Sequence, residues 1–143
     1  MQYKAQLAPV GPEIIKVALG RQTAEDVGEF LRKHFIHGMR QGETLCYDIE
    51  STTPDFTGMN KEGTFDAELF FDYEKMTDKK NYMPYVREDE NHGIGGVNPG
   101  IGYIRCDTFG LVVRSGADTA EAVHEQTRKI PNFAQNFMCI TIV

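Results

Sequence analysis

Four carboxylates stand at alternating positions in two segments of the chain that have strand-like sequences. Asp48 and Glu50 share one face of the first segment, and Asp66 and Glu68 share one face of the second. Divalent cations such as Mg²⁺ prefer several oxygen ligands, and a bound cation can activate water for hydrolysis. If the two segments are neighbouring strands, these residues predict a metal site in a carboxylate-metal hydrolase. A solvated, charged sheet face is the alternative interpretation.

A glycine-rich stretch, HGIGGVNPGIGY, occupies residues 92–103. Because glycines let backbone amides approach a phosphate, residues 93–102 predict a small-ligand or nucleotide-binding loop. Its candidate contacts are Gly93, Gly95, Gly96, Asn98 and Gly100. The stretch departs from GxGxxG, the sequence contains no GxxxxGK[ST], and the stretch leads into a strand-like segment instead of a helix. A plain flexible loop is therefore the alternative.

The cysteines and histidines provide weaker signals. Cys46, Cys106 and Cys139 form no CxxC pair, and an odd number of cysteines is typical of free thiols in a reducing compartment. His34 and His37 are three residues apart, but HExxH is absent and nothing nearby supplies further ligands. No cofactor is predicted from these residues.

A phrase that occurs twice suggests which elements position these candidates. QTAEDVGEFLRK begins at Gln22, and DTAEAVHEQTRK begins at Asp118. The first copy has Thr23 as a helix N-cap with Asp26 three residues later, as in a capping box. In the second copy, Asp118 and Glu121 form a similar pair, with Thr119 as the competing cap. Apolar residues follow both starts at helical spacing, so each copy predicts an amphipathic helix.

Strand-like runs accompany both helices. Residues 43–49 and 137–143 follow the two copies, residues 110–114 precede the second, and residues 65–73 alternate apolar and polar side chains. We therefore expect an α+β fold with a mainly antiparallel sheet and two helices on one face. Two β-α-β units would give a ferredoxin-like arrangement.

The predicted domain organisation is a single α+β domain over residues 13–143, with a long loop at 74–101 and an extended arm at 1–12. Pro9 and Pro12 disfavour regular structure in the arm. Its apolar residues Tyr3, Leu7 and Val10 are unfavourable in water, so we expect them to form an interface.

Composition narrows the classes of function. The net charge is −6 and the basic residues are scattered, which disfavours nucleic-acid binding. The sequence has neither an apolar run of about 20 residues nor a signal-peptide pattern, so we expect a cytoplasmic protein that does not bind membranes. With no strong catalytic motif, the leading interpretation is a non-enzymatic assembly protein that packs against copies of itself or a larger partner.

Overall fold

The structure, a computed structural model, describes residues 4–94 and 102–143. Within these residues one sheet has the strand order β1 (Ala5–Pro9), β2 (Thr44–Glu50) and β3 (Gly110–Ser115). Both strand pairs are parallel. The α+β class is confirmed, whereas the mainly antiparallel sheet and the ferredoxin-like arrangement were wrong.

Long connections explain why the strands run in the same direction. Parallel neighbours need a crossover of a dozen or more residues, usually helical. Helices α1 (Val10–Ala18) and α2 (Ala24–Gln41) connect β1 to β2. Residues 51–109 connect β2 to β3 and contain α3 (Ala67–Phe70) and α4 (Lys79–Tyr82), with short 3₁₀ turns at Thr57–Met59, Lys75–Thr77, Met83–Tyr85 and Glu88–Glu90. Helices α5 (Ala120–Arg128) and α6 (Phe133–Asn136) follow β3.

The predicted start of α2 is confirmed. The Thr23 side chain accepts a hydrogen bond from the backbone N–H of Asp26 at 3.2 Å, and the Asp26 carboxylate accepts one from the backbone N–H of Thr23 at 2.8 Å. Each group satisfies a donor that the first turn of a helix would otherwise leave unpaired. The helix ends at Gly42, whose φ of +67° is the left-handed cap that glycine adopts most readily.

The second copy of the phrase also begins a helix, but its cap is the competing residue. Thr119, and not Asp118, accepts from the backbone N–H of Ala122 at 3.1 Å. The surroundings of the two copies differ, because residues 10–18 before the first copy are helical and residues 110–115 before the second form a strand. Residues 137–143 contain no strand, so the second predicted β-α-β unit is not completed.

The predicted strand at 65–73 is instead the turn and short helix α3. Phe70 and Phe71 are adjacent and both buried, whereas successive strand residues point to opposite faces. Asp66 begins the helix, because its side chain accepts from the backbone N–H of Leu69. The apolar residues of this run are therefore buried by a short helix and its flanking turns, and not by one face of a strand.

The core lies between α2 and one face of the sheet. Leu45, Tyr47 and Ile49 of β2 and Leu31 and Phe35 of α2 belong to a single buried cluster. The buried Tyr47 hydroxyl donates to the Leu31 carbonyl at 3.0 Å, which joins the central strand to the helix.

The segment predicted as an extended arm contains β1 and the start of α1. Val10 is fully buried, Leu7 is exposed on the sheet, and Tyr3 lies outside the described residues. The predicted boundary after residue 12 therefore falls inside α1. Among the described helices, none has the length and apolar character needed to cross a bilayer.

Candidate functional site

The most unusual surface of this fold is the sheet face that points away from the core. Leu7, Cys46 and Val112 are register partners across the three strands. Leu7 is 58% exposed, Val112 is 45% exposed, and Cys46 between them is partly buried. Parallel sheets are normally covered on both faces. We call the surface formed by these three residues the open sheet face.

An ion pair borders the open sheet face toward the carboxyl ends of its strands. Arg114 Nη1 donates to both Asp48 carboxylate oxygens at 2.9 Å. Asp48 and Arg114 are register partners on β2 and β3, two residues beyond Cys46 and Val112. Asp48 is therefore held in an ion pair with the neighbouring strand.

Helix α1 has apolar side chains on two sides. Ile14 and Val17 pack against the core, whereas Ile15 is 48% exposed and Leu19, just beyond the helix, is 61% exposed. Ala18 is also exposed and completes a set with helical spacing i, i+3 and i+4. We call Ile15, Ala18 and Leu19 the α1 stripe.

Three of the four predicted metal ligands are engaged by other groups of the protein. Asp48 pairs with Arg114, Asp66 caps α3, and Glu68 accepts from the Asn132 side-chain amide at 3.2 Å. Glu50 is exposed at the end of β2 with φ of +51°. Since residues 66–68 do not form a strand, the geometry that the metal hypothesis required is missing. Within residues 4–94 and 102–143, no cluster of three or more His, Cys, Asp or Glu residues is suited to a metal ion.

The glycine-rich loop falls mostly outside the described residues. Of its candidate contacts, Gly93 is described, and Gly95, Gly96, Asn98 and Gly100 are not. The described ends of the loop are joined, because Asn91 Oδ1 accepts from the backbone N–H of Tyr103 at 2.8 Å. The nucleotide-binding hypothesis for this loop stays a prediction.

A buried arginine fixes the segment before that loop onto α2. The Arg32 side chain is fully buried, and its Nη1 donates to Glu90 at 2.7 Å and to the Tyr85 carbonyl at 2.8 Å. Its Nε donates to Glu29 at 2.8 Å, and this hydrogen bond lowers the pKa of Glu29. Arg40 adds a bond to the Glu90 carbonyl at 2.7 Å. Sequence reasoning missed this network, because Glu90 is 58 residues from Arg32.

An apolar cavity of about 90 Å³ lies beneath β3. Its walls are mostly aromatic and come from α2, the α3 region, the segment before β3 and α6; they include Phe35, Phe71, Phe109 and Phe137. Arg105 also lines it, with a side chain that is only 6% exposed. The sequence offered no signal for this residue, since the cavity that it lines is completed by three segments distant in the chain.

Two of the cysteine thiols have pKa values that are shifted in opposite directions. Burial raises the pKa of Cys46, and a hydrogen bond with the Thr108 hydroxyl lowers the pKa of Cys106. The Cys106 Sγ and Thr108 Oγ1 atoms are 3.2 Å apart. Cys46 is therefore the less reactive thiol at neutral pH, although it lies at the centre of the open sheet face.

No family model matches this chain, and neither does any curated protein or solved structure. The functional proposals therefore rest on three features: the open sheet face, the α1 stripe and the apolar cavity lined by Arg105.

Proposed function

We propose that this protein is a non-enzymatic structural protein that assembles with copies of itself through the open sheet face. The observation that carries the proposal is a parallel sheet with one face packed on the core and, on the other, Leu7 and Val112 exposed among the described residues. Exposure of Leu7 and Val112 to water is unfavourable, because burying a side chain of this kind contributes about 1.5–3 kcal/mol of stabilisation. A partner that covers this face recovers part of that free energy.

The dimensions of the open sheet face suit a helix. Neighbouring strands are about 4.8 Å apart, so the row from Leu7 to Val112 spans about 10 Å. An α-helix with its side chains is about 10 Å across. Helices are also the usual cover of parallel sheets.

The same chain displays a helix of the required kind. The α1 stripe is apolar, exposed and turned away from the core of its own chain. One copy therefore carries both halves of a helix-on-sheet contact, and a second copy supplies the missing half of each. We propose that α1 of one copy packs on the open sheet face of the other.

A closed pair uses this contact twice. One helix on three strands is small beside the ~800 Å² per partner of a standard stable interface. If a two-fold axis relates the copies, each α1 stripe covers the other copy's sheet and the buried area doubles. We therefore expect a reversible dimer, best measured by sedimentation equilibrium from about 10 μM to 1 mM, the range for small interfaces.

Three charge-matched double variants test the contact. The sheet variant is Leu7→Lys with Val112→Lys, and the helix variant is Ile15→Lys with Leu19→Lys. The control, Ile104→Lys with Met138→Lys, alters exposed apolar residues outside both surfaces. We expect both interface variants to be monomeric with unchanged secondary structure, and the control to dimerise like the wild type.

Mixing the two interface variants identifies the partner surfaces. The sheet variant retains its α1 stripe and the helix variant retains its open sheet face, so an equal mixture can form one of the two contacts. We expect the mixture to associate more weakly than the wild type, because its second contact brings four lysines together, although each variant alone stays monomeric. A wild type that stays monomeric at about 1 mM, or an interface variant that dimerises as tightly as the control, would contradict the proposal.

A further inference from the structure

Arg105 is a buried cation with few partners. Its only ion pair among the described residues is with Asp107, at 3.5 Å, and Asp107 is itself fully exposed. The Nε atom of Arg105 is buried and has no hydrogen-bond partner among the described residues. A buried, unpaired donor on a charged group is costly, so such a group is normally paired with an anion.

Most of the other residues that line the cavity are apolar or aromatic. The guanidinium carbon of Arg105 lies 5.4 Å from the ring centre of Tyr73 and 5.9 Å from that of Phe109. Asn136, which also lines the cavity, already uses its amide, since Oδ1 accepts from the Tyr73 N–H at 3.3 Å and Nδ2 donates to the Asn132 carbonyl at 3.4 Å. Arg105 is therefore the charged group available to orient a ligand.

We propose that this cavity binds a small carboxylic acid with a short apolar chain. The planar guanidinium matches the two oxygens of a carboxylate, whereas a phosphate would leave further oxygens facing aromatic walls. At ~10–15 Å³ for each water-sized group, a cavity of about 90 Å³ holds roughly six to nine non-hydrogen atoms. Butyrate and isobutyrate have that size. This site is independent of the open sheet face.

The first test uses the wild-type chain and two ligands of equal shape. Sodium isobutyrate and the neutral isobutyramide are titrated separately, and binding is followed by calorimetry and by NMR of the Met76 methyl group, which lines the cavity. We expect isobutyrate to bind at least about ten-fold more tightly than the amide. Equal affinities, or no binding of isobutyrate up to about 10 mM, would overturn the proposal without any variant.

The second test assigns the effect to Arg105. Arg105→Gln should weaken isobutyrate at least about ten-fold, and Arg105→Lys, which retains the charge without the planar fork, should fall between Gln and wild type. Asp107→Asn is the control, because it removes the exposed competing carboxylate. Its affinity should equal or exceed that of the wild type, and weaker binding would overturn the assigned role of Arg105.

Discussion

Arg32 and Glu90 are 58 residues apart in the chain, yet Arg32 Nη1 lies 2.7 Å from a Glu90 carboxylate oxygen with the arginine side chain fully buried. Glu29, one helical turn before Arg32, binds the other side of the same guanidinium. The pair holds the 3₁₀ turn at Glu88–Glu90 against α2, and this position precedes the glycine-rich loop.

Arg32→Met should lower the free energy of unfolding by about 3 kcal/mol. The substitution leaves the partly buried Glu90 without its cation and Glu29 with only Arg87, at 3.2 Å, and breaking a buried pair costs about 3–5 kcal/mol. We take the lower end because Glu29 and Glu90 are partly exposed. Arg128→Met removes an exposed pair with Glu125 and is the control, with an expected loss below about 0.5 kcal/mol. Equal losses in urea unfolding would mean that burial of Arg32 has no energetic weight.

Stability should fall in acid, and less steeply in Arg32→Met. The hydrogen bond from Arg32 lowers the pKa of Glu29. Burial acts to raise the pKa of Glu90, but the hydrogen bonds from Arg32 and from the Arg87 N–H outweigh burial, so the pKa of Glu90 is also lowered. Carboxyls with a lowered folded pKa stabilise fully above their usual value of 4.5, and this contribution is lost as the pH falls through the folded pKa.

Urea unfolding between about pH 7 and pH 3 measures this difference, because linkage makes the free energy of unfolding depend on pH there. Other carboxyls contribute to both proteins, so the comparison of wild type with Arg32→Met isolates Glu29 and Glu90. Parallel pH curves for the two proteins would show that Arg32 does not set these pKa values.

Thr23→Ala and Thr119→Ala should each lower the free energy of unfolding by roughly 0.5–2 kcal/mol. Each hydroxyl accepts a hydrogen bond from an otherwise unpaired N–H in the first helical turn. Thr53→Ala, at an exposed coil position, is the matched control. Thermal unfolding that separates neither cap variant from the control would contradict the assigned helix starts.

Gly42→Ala should be more destabilising than Gly20→Ala. Both glycines have left-handed backbones, with φ of +67° and +69°, so each alanine pays a strain of about 1–2 kcal/mol. A methyl group at position 42 would also collide with the Thr108 hydroxyl and the Cys106 thiol, whereas position 20 is open. The crowding adds about 1–3 kcal/mol at position 42. Chemical denaturation of both variants checks the order, and equal losses would show that the 105–109 segment moves aside freely.

Local interactions explain what could be predicted from the sequence. Thr23 and Asp26 are three residues apart, so the start of α2 could be located without knowledge of the rest of the chain. The runs at 43–49 and 110–114 were confirmed as β2 and β3 for a similar reason, since their β-branched and aromatic residues favour extended backbone. Leu7 and Val10 were predicted at an interface; Leu7 is exposed on the open sheet face and Val10 is buried within its own chain.

Strand direction and burial needed the tertiary structure. Alternation within a strand is the same in parallel and antiparallel sheets, so it does not predict strand direction. At residues 65–73 alternation suggested a strand, but the chain forms the short helix α3 there. The open sheet face forms because β1 and β3 flank β2 in register. The side chains of Arg32 and Arg105 are buried because segments distant in the chain pack around them. Capping and strand propensity act over a few residues of chain, whereas strand pairing and the buried ion pair join distant residues. Leu7 and its register partner Cys46 are 39 positions apart (46 − 7), and Arg32 and Glu90 are 58 apart.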